Sequence, residues 1–536
     1  MRKTISFAFA VLTLSTAHAQ LGRGVAEWST SGGDAHRSSA VSADAKINKD
    51  SVGKGFALFW KMKLNNEPRQ LNGLTAPTLM DRHIGIHGFR AFGFVTGSGD
   101  NIYAIDTDLA RIDWQKNFGG KPLADASLTC PGGMTSGTAR SIGAAFPAPQ
   151  QGGGGRGRGT PAKSAVGQPG EGGVTIEEIQ RAQAAAAANP GRGGAGRGPG
   201  GGRATRVAVV VNSLSSDGMF HANFVSNGDE PEPPVRFLPP NANAQGLVIV
   251  DNVAYVATVN GCGGVPNGIW ALDIPTKTVT SWKPASGGVA GSAGPAFGGD
   301  GALYVATTTG DVVSLEPKTL KVKDVYRAGT ELTSTPVVFQ QKEKTWLAAT
   351  TKDGRLHVID AAAMSAAGVK SAAYSTAADF TPGALSTWQD SAGVRWILAP
   401  TAGPVSADAK FSAANGAVTN GAIVAWKVVD QNGAPALEPG WVSRDLISPL
   451  SPLVVNGVVF AVSSGEARGK DAKTVAQRSV PAVVYALDAA TGKELWNSGK
   501  TITSFVHGGG LSGASGQIYL GTHDGTLYSF GFPIEH

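Results

Sequence analysis

The sequence predicts an all-β chain, an eight-bladed β-propeller of four-stranded antiparallel blades, on three observations. The first is a local pattern. Tyr485-Ala-Leu-Asp-Ala-Ala-Thr-Gly-Lys-Glu-Leu-Trp496 reads as a strand ending in Asp488, a tight turn on Thr491-Gly492, and a second strand closed by Trp496. Weaker copies run from Asp106 to Trp114 and from Asp273 to Trp282, while Leu315-Glu316 and Ile359-Asp360 keep the strand and the acid. The second is a period. Leu272, Leu315 and Ile359 lie 43 and 44 residues apart, and Leu487 to Phe530 is again 43. The third is a count of strand starts. Eight small-polar or Pro/Gly-marked points each open a short apolar run.

In chain order the starts are Thr75-Ala-Pro77, Ser127-Leu-Thr-Cys130, Asn241-Ala-Asn243, Ser292-Ala-Gly-Pro295, Ser334-Thr-Pro336, Phe380-Thr-Pro382, Ser451-Pro452 and His507-Gly-Gly509. Hairpin turns such as Gly299-Asp-Gly301 and Asn456-Gly457 follow most of them, then β-branched or aromatic strands. The eighth unit ends at Phe532 after three strands. An unpaired edge invites aggregation, so another strand is expected to close it. Phe56-Ala-Leu-Phe-Trp-Lys-Met-Lys-Leu64 has no other place and is assigned that role, with Glu27 to Ser39 running as an extended lead-in across the same blade.

Asp106, Asp273 and Asp488 are read as architectural: each carboxylate accepts backbone N–H bonds in its turn. Gly492 supplies the turn, and Trp114, Trp282 and Trp496 pack between neighbouring blades, burying large apolar area.

Arg2-Lys3, the apolar run from Ile5 to Leu14, and Ala17-His-Ala19 form a secretory signal, giving residues 1–19 as leader and 20–536 as one propeller. No later run is long and apolar enough to span a bilayer, so the mature chain is expected to be soluble after export, periplasmic or secreted; it is also expected to be a monomer. The net charge of +6 is concentrated in the leader and in residues 150–202. That Gly/Arg-rich segment is read as a disordered insertion in blade two, with a short helical island after Thr175. The remaining body is near neutral, which gives no reason to invoke nucleic acid.

The Ala486-x-Asp488-x-x-Thr491-Gly492-x-x-x-Trp496 pattern resembles the tryptophan-docking repeat of the pyrroloquinoline quinone (PQQ) dehydrogenases, and Glu27-Trp-Ser-Thr-Ser-Gly-Gly-Asp34-Ala-His-Arg37 resembles their lead-in. The resemblance covers nearly all of the mature chain outside the insertion. It implies PQQ near the ring axis, a Ca²⁺ or lanthanide held by acid and amide side chains, and an Asp base for oxidation of an alcohol, aldehyde or sugar. Non-catalytic scaffolds share the same repeat. The chain departs from the enzymes in having no adjacent cysteine pair and no Cys-x-x-Cys-His, hence no fused haem. The metal acid, the amide and the base fall on no recognisable motif here and are left unassigned.

Cys130 and Cys262 are the only cysteines. They fall on loops that emerge on one face of adjacent blades, where export favours a disulfide; two buried free thiols are the alternative. Asn241, Asn243, Ser292, Ser334, Thr381, Ser451 and His507 are expected to ring the axial funnel, either contacting a ligand or capping inner-strand backbone. His507, before Gly508-Gly-Gly510, is the foremost functional candidate, with a solvated loop histidine as the equal alternative. Arg444-Asp445 is read as an ion pair at the mouth or on the surface. Asp81-Arg-His83-Ile-Gly-Ile-His87 places its histidines roughly 13 Å apart on a strand, too far for chelation.

Two functions follow. One is a quinoprotein-type oxidoreductase using PQQ and Ca²⁺ on a small alcohol or sugar. The other is a non-catalytic propeller that binds another envelope protein or a carbohydrate. The full ring favours the first; the missing cysteine pair and haem favour the second.

Overall fold

The structure, a computed structural model, describes residues 28–85, 88–142, 209–377, 381–412, 414–431 and 434–533. The leader, the insertion at 150–202, Phe380 and His87 lie outside them. Eight sheets form a ring. Blade one comprises Thr78–Gly85, Gly88–Gly97, Asn101–Asp106 and Arg111–Asn117 from the axis outward. Blades three to seven repeat that meander, with innermost strands Asn243–Val250, Ala296–Phe297, Val337–Gln341, Ser386–Gln389 and Leu453–Val455. Blade eight begins at Leu511–Ala514, and Ala57–Lys63 pairs antiparallel with its third strand, Thr526–Gly531. The N-terminal strand therefore closes the ring as expected.

Blade two is the irregular one. Val210–Leu214, Met219–Phe224 and Val235–Arg236 form its outer strands, while its inner position is a single bridge between Ala139 and Asn212. The expected start at Ser127 to Cys130 is thus displaced: that segment is a loop, and the chain reaches the sheet about ten residues later. The cue was a small-polar run, and such runs mark turns as readily as strand starts.

The core lies between blades. One apolar cluster joins Tyr304 and Ala306 of blade four to Leu347 and Ile359 of blade five; another joins Leu398 and Ile423 of blade six to Val459 and Leu487 of blade seven. Since both faces of a blade are covered, second strands such as Val253–Val259 are buried at every position. At the closure, one cluster runs from Phe460 through Phe530 to Ile105, so blades seven, eight and one share it.

The turn acids accept the bonds expected of them. Asp106 Oδ1 takes the Leu109 N–H, Asp273 Oδ1 that of Thr276, and Asp488 Oδ1 those of Ala490 and Thr491. Three indoles reach across to the next blade, each donating Nε1–H to a turn carbonyl at 2.8 Å: Trp60 to Thr107, Trp114 to Val225 and Trp441 to Ala489. Three residues beyond each acceptor stands a residue at positive φ: Ala110, Gly228 and Gly492. A Cβ on Gly492 would lie 2.4 Å from Trp441 Cε3, and one on Gly228 2.6 Å from Trp114 Cε3, so the ring lies directly on the glycine. Trp282 and Trp496 sit half-buried, Trp496 edge-on to Phe56 and Phe530.

The lead-in departs from expectation. Residues 28–41 do not cross blade eight; they circle the axis inside the ring. The N–H groups of Leu79, Arg140, Phe297, Val338, Thr387 and Val454 donate to the carbonyls of Trp28, Ser29, Ala35, His36, Ser38 and Ser39. Thr30 Oγ1 donates to Leu247 O, and Ala40–Val41 pairs in parallel with Leu453–Val455. The segment thus meets blades one to seven in order. Innermost strands leave one edge of N–H and C=O groups unpaired toward the axis, and this belt satisfies several of them. Arg37, 2 % exposed, fastens it: Nε donates to Pro295 O, Nη2 to Gly246 O, and Nη1 to Thr30 Oγ1 and Ser31 O. Burial lowers the Arg37 guanidinium to about 9, partly opposed by Asp34.

A pH dependence is built into blade five. His357 is buried, with Tyr326 Oη 2.9 Å from Nδ1 and Thr351 Oγ1 3.2 Å from Nε2, and burial lowers it from 6.5 to about 4. Above pH 6.5 both folded and unfolded imidazoles are neutral. Between 6.5 and 4 only the unfolded one gains a proton, so stability falls as pH drops through that window, by about 3 kcal/mol. Urea midpoints at pH 7 and pH 4.5 should differ accordingly, and His357→Gln should shrink the difference.

Candidate functional site

The belt crosses beneath the strand starts and lines, with them, a cup of about 440 Å³ on the axis. The volume is in the range of ligand pockets, a few hundred to roughly 1,000 Å³. Ser31, Gly32, Arg37 and Ser39 of the belt lie at its base. The walls are strand-start residues of successive blades, because each inner strand begins on this face.

Five of the sequence-selected residues meet here: Asn243, Ser292, Thr381, Ser451 and His507. Asn243 Nδ2 donates to Thr129 O at 2.9 Å, and Ser451 Oγ is buried without a hydrogen-bond partner. Four are elsewhere. Asn241 takes a left-handed φ of 63° in the preceding turn, its N–H on Ser216 O. Ser334 is fully buried, its Oγ accepting the Thr350 N–H at 3.0 Å, which is the backbone-capping role. Arg444 pairs with Glu494 at 2.5 Å and covers the Tyr485 ring. Asp445 accepts the N–H groups of Thr419 and Asn420 and the Asn420 amide, which hold its carboxyl below the usual range against partial desolvation. The expected Arg444–Asp445 pair gives way to these separate partners.

Gln245, Asn72, Asn260 and the belt residues also line the cup. Sequence reading missed them because the belt was placed on another blade, and a lone amide carries no spacing signal. A second chamber of about 530 Å³ adjoins the cup through Leu128, Thr381, Pro382, Pro449, Leu450 and His507. At that junction His507 Nδ1 lies 2.9 and 3.0 Å from the Glu466 carboxylate oxygens. Such a carboxylate orients the ring and leaves Nε2 for another partner. The short helix Ala472–Arg478, capped by Asp471, packs Val475 against Leu71 and Phe505 beside this chamber.

Cys130 and Cys262 form a disulfide, Cα–Cα 5.4 Å, joining the blade-two loop to blade three beside Pro131 and Asn260 of the cup. It fixes Thr129, whose carbonyl receives both Asn243 and Asn260 amides.

The chemistry of the lining is narrow. Among the described residues it holds hydroxyls, amides, glycines, alanines, prolines and leucines with Arg37 and His507; no Asp, Glu, Phe, Tyr or Trp of these residues lines the cup. No group of three or more His, Cys, Asp or Glu among the described residues is placed to hold a metal. Ca²⁺ is held by six to eight oxygens, carboxylates prominent among them. The polar atoms of Arg37 are already committed to protein acceptors. The residues present therefore do not fit PQQ with a divalent ion, and no redox step is derived through it.

The fold is similar to that of solved PQQ-type alcohol and methanol dehydrogenases. A quinohemoprotein alcohol dehydrogenase from Comamonas testosteroni superposes with a TM-score of 0.56 at 14% identity, covering 96% of this chain and 83% of that one. Another, ADHIIG from Pseudomonas putida HK5, gives 0.53 at 13%, over 95% and 82%. A europium-containing methanol dehydrogenase gives 0.51 at 11%, over 95% and 98%. No family model and no curated protein sequence matches the chain. Likeness at this identity establishes the fold alone. Among the described residues no helix is long and apolar enough to cross a membrane.

Proposed function

We propose that this chain is an exported, non-catalytic β-propeller whose cup holds a polypeptide segment of another envelope protein. The observation that carries the reading is the lining itself, a hydroxyl, amide and Pro/Leu surface beside His507, with no carboxylate among the described residues. A dehydrogenase cup needs acids to hold its ion. Main-chain amides of a peptide, by contrast, are matched by Asn, Gln, Ser and Thr groups, and Pro382, Pro449 and Leu450 supply apolar contact. A carbohydrate is less well served, since among the described residues no Phe, Tyr or Trp lines the cup to cover a sugar face. The neighbouring folds supply the scaffold and not the chemistry.

A photo-crosslinking residue at Gln245 or Ser292, in cells, tests this against one at exposed Val322 on an outer strand. One defined protein adduct from the cup positions and none from Val322 is the expected result. Absence of any adduct from the cup, or the same adducts from all three positions, would overturn the reading.

A further inference from the structure

We propose that the inner rim of the ring is a receptor for extended polypeptide, and that residues 28–41 are the occupant the chain carries for itself. The inference concerns the groove beneath the cup and stands independently of what the cup binds.

Most of the contacts read backbone. Six inner-strand or strand-edge N–H groups meet six belt carbonyls, and Ala40–Val41 adds a short parallel pairing with Leu453–Val455. Strand addition of this kind recognises any extended chain through its main-chain groups, with side-chain pockets setting the choice. The choice here falls on two features. Gly32 and Gly33 take φ of 74° and 87°; a Cβ on Gly33 would lie 3.0 Å from the Trp28 ring, and one on Gly32 3.3 Å from the Arg37 Cα. Arg37, four residues after Gly33, then reaches Pro295 O of the loop entering blade four and Gly246 O of blade three. A guanidinium fork can serve these separated acceptors at once, as an ammonium cannot.

The path of the segment is that of an inserted loop and not of a threaded chain. Its first and last paired residues, Trp28 and Val41, sit on Leu79 and Val455, strand positions past the residues that line the cup. Ser31, Gly32, Arg37 and Ser39, between them, reach the cup. Past Val41 the chain arrives at Asp44, which accepts the Gly516 N–H at 2.6 Å and bonds Asn456 through its carbonyl. Asn456 and Gly516 belong to hairpin turns at the far ends of their inner strands. The loop can therefore withdraw toward that side without opening the ring. The link is slight: Ser42, Ala43, Ala45 and Lys46 are exposed. The partner that fits the seat is an extended protein segment with two adjacent glycines and an arginine four residues after the second. Its arrival would replace the belt residues that line the cup.

The test uses the full chain with a site-specific protease sequence inserted between Ser42 and Ala43. After cleavage, a fluorescent peptide spanning residues 28–41 is added and its exchange followed by anisotropy, with circular dichroism monitoring the fold. The expected result is a ring that stays folded, takes up one peptide per chain, and binds the R37A peptide at least tenfold more weakly; uncut protein takes up none. Unfolding once the cut segment leaves would make the belt core and not ligand, and would overturn the proposal. So would a cut segment that never exchanges, or equal binding of the R37A peptide.

Discussion

Replacing Arg37 by alanine is expected to lower stability by about 4 kcal/mol, read as a fall in the urea midpoint at unchanged slope. The side chain is buried and serves Pro295 O, Gly246 O, Ser31 O and Thr30 Oγ1. Truncation strands these acceptors inside the ring, where each unmet group costs about 1–3 kcal/mol and water entering the gap recovers part. Arg37→Lys should lose roughly half as much, because a point charge meets only some of four spread acceptors. A loss below about 1 kcal/mol for the alanine variant would mean that the belt is not fastened through this residue.

Trp441→Ala is expected to cost about 3–5 kcal/mol, the range for removing a buried aromatic. The residue is 4 % exposed, lies on Gly492, and donates to Ala489 O of the next blade. Gly492→Ala attacks the same contact from the other side. Its φ of 71° is strained for any L residue, and the new methyl would sit 2.4 Å from the indole. Strain alone costs roughly 1–2 kcal/mol and the clash adds to it. In the Trp441→Ala background the indole clash disappears, so Gly492→Ala should then cost its backbone strain and the tight 3.0 Å contact with Asn415 Nδ2. A double-mutant cycle by urea denaturation measures the difference, and strict additivity would show that ring and glycine do not communicate across the blade interface.

These two regions show what was legible in the sequence and what was not. The 43-residue period and the Asp-to-Trp spacing specify blades, because each reflects a repeating local need: a turn carboxylate and a flat apolar cover. Closure by Ala57–Lys63 followed from counting strands. Which tryptophan reaches the next blade was harder. Trp114 was selected, but Trp60 and Trp441, which make the same bond, lie outside the Asp-to-Trp spacing. Their geometry is set between blades and leaves no local signature. The belt was misplaced for a similar reason: Ser-Thr-Ser-Gly-Gly reads as extended chain, and nothing in it says which edge it will pair with. Of the cup residues, those at strand starts were visible as such. Ser334 has the same sequence look and turned inward to cap Thr350, since a small hydroxyl satisfies backbone as well as it faces a ligand.

The absence of acids among the described residues of the cup lining carries the functional account, so cofactor binding tests it most directly. Mature protein would be purified from a periplasm supplied with PQQ and Ca²⁺, and bound PQQ quantified by mass spectrometry, then titrated against the cofactor-free form with and without Ca²⁺. The account predicts far less than one PQQ per chain and no dependence on Ca²⁺. One PQQ per chain, bound only with Ca²⁺, would contradict it and return the chain to the quinoprotein dehydrogenases in chemistry as well as in fold.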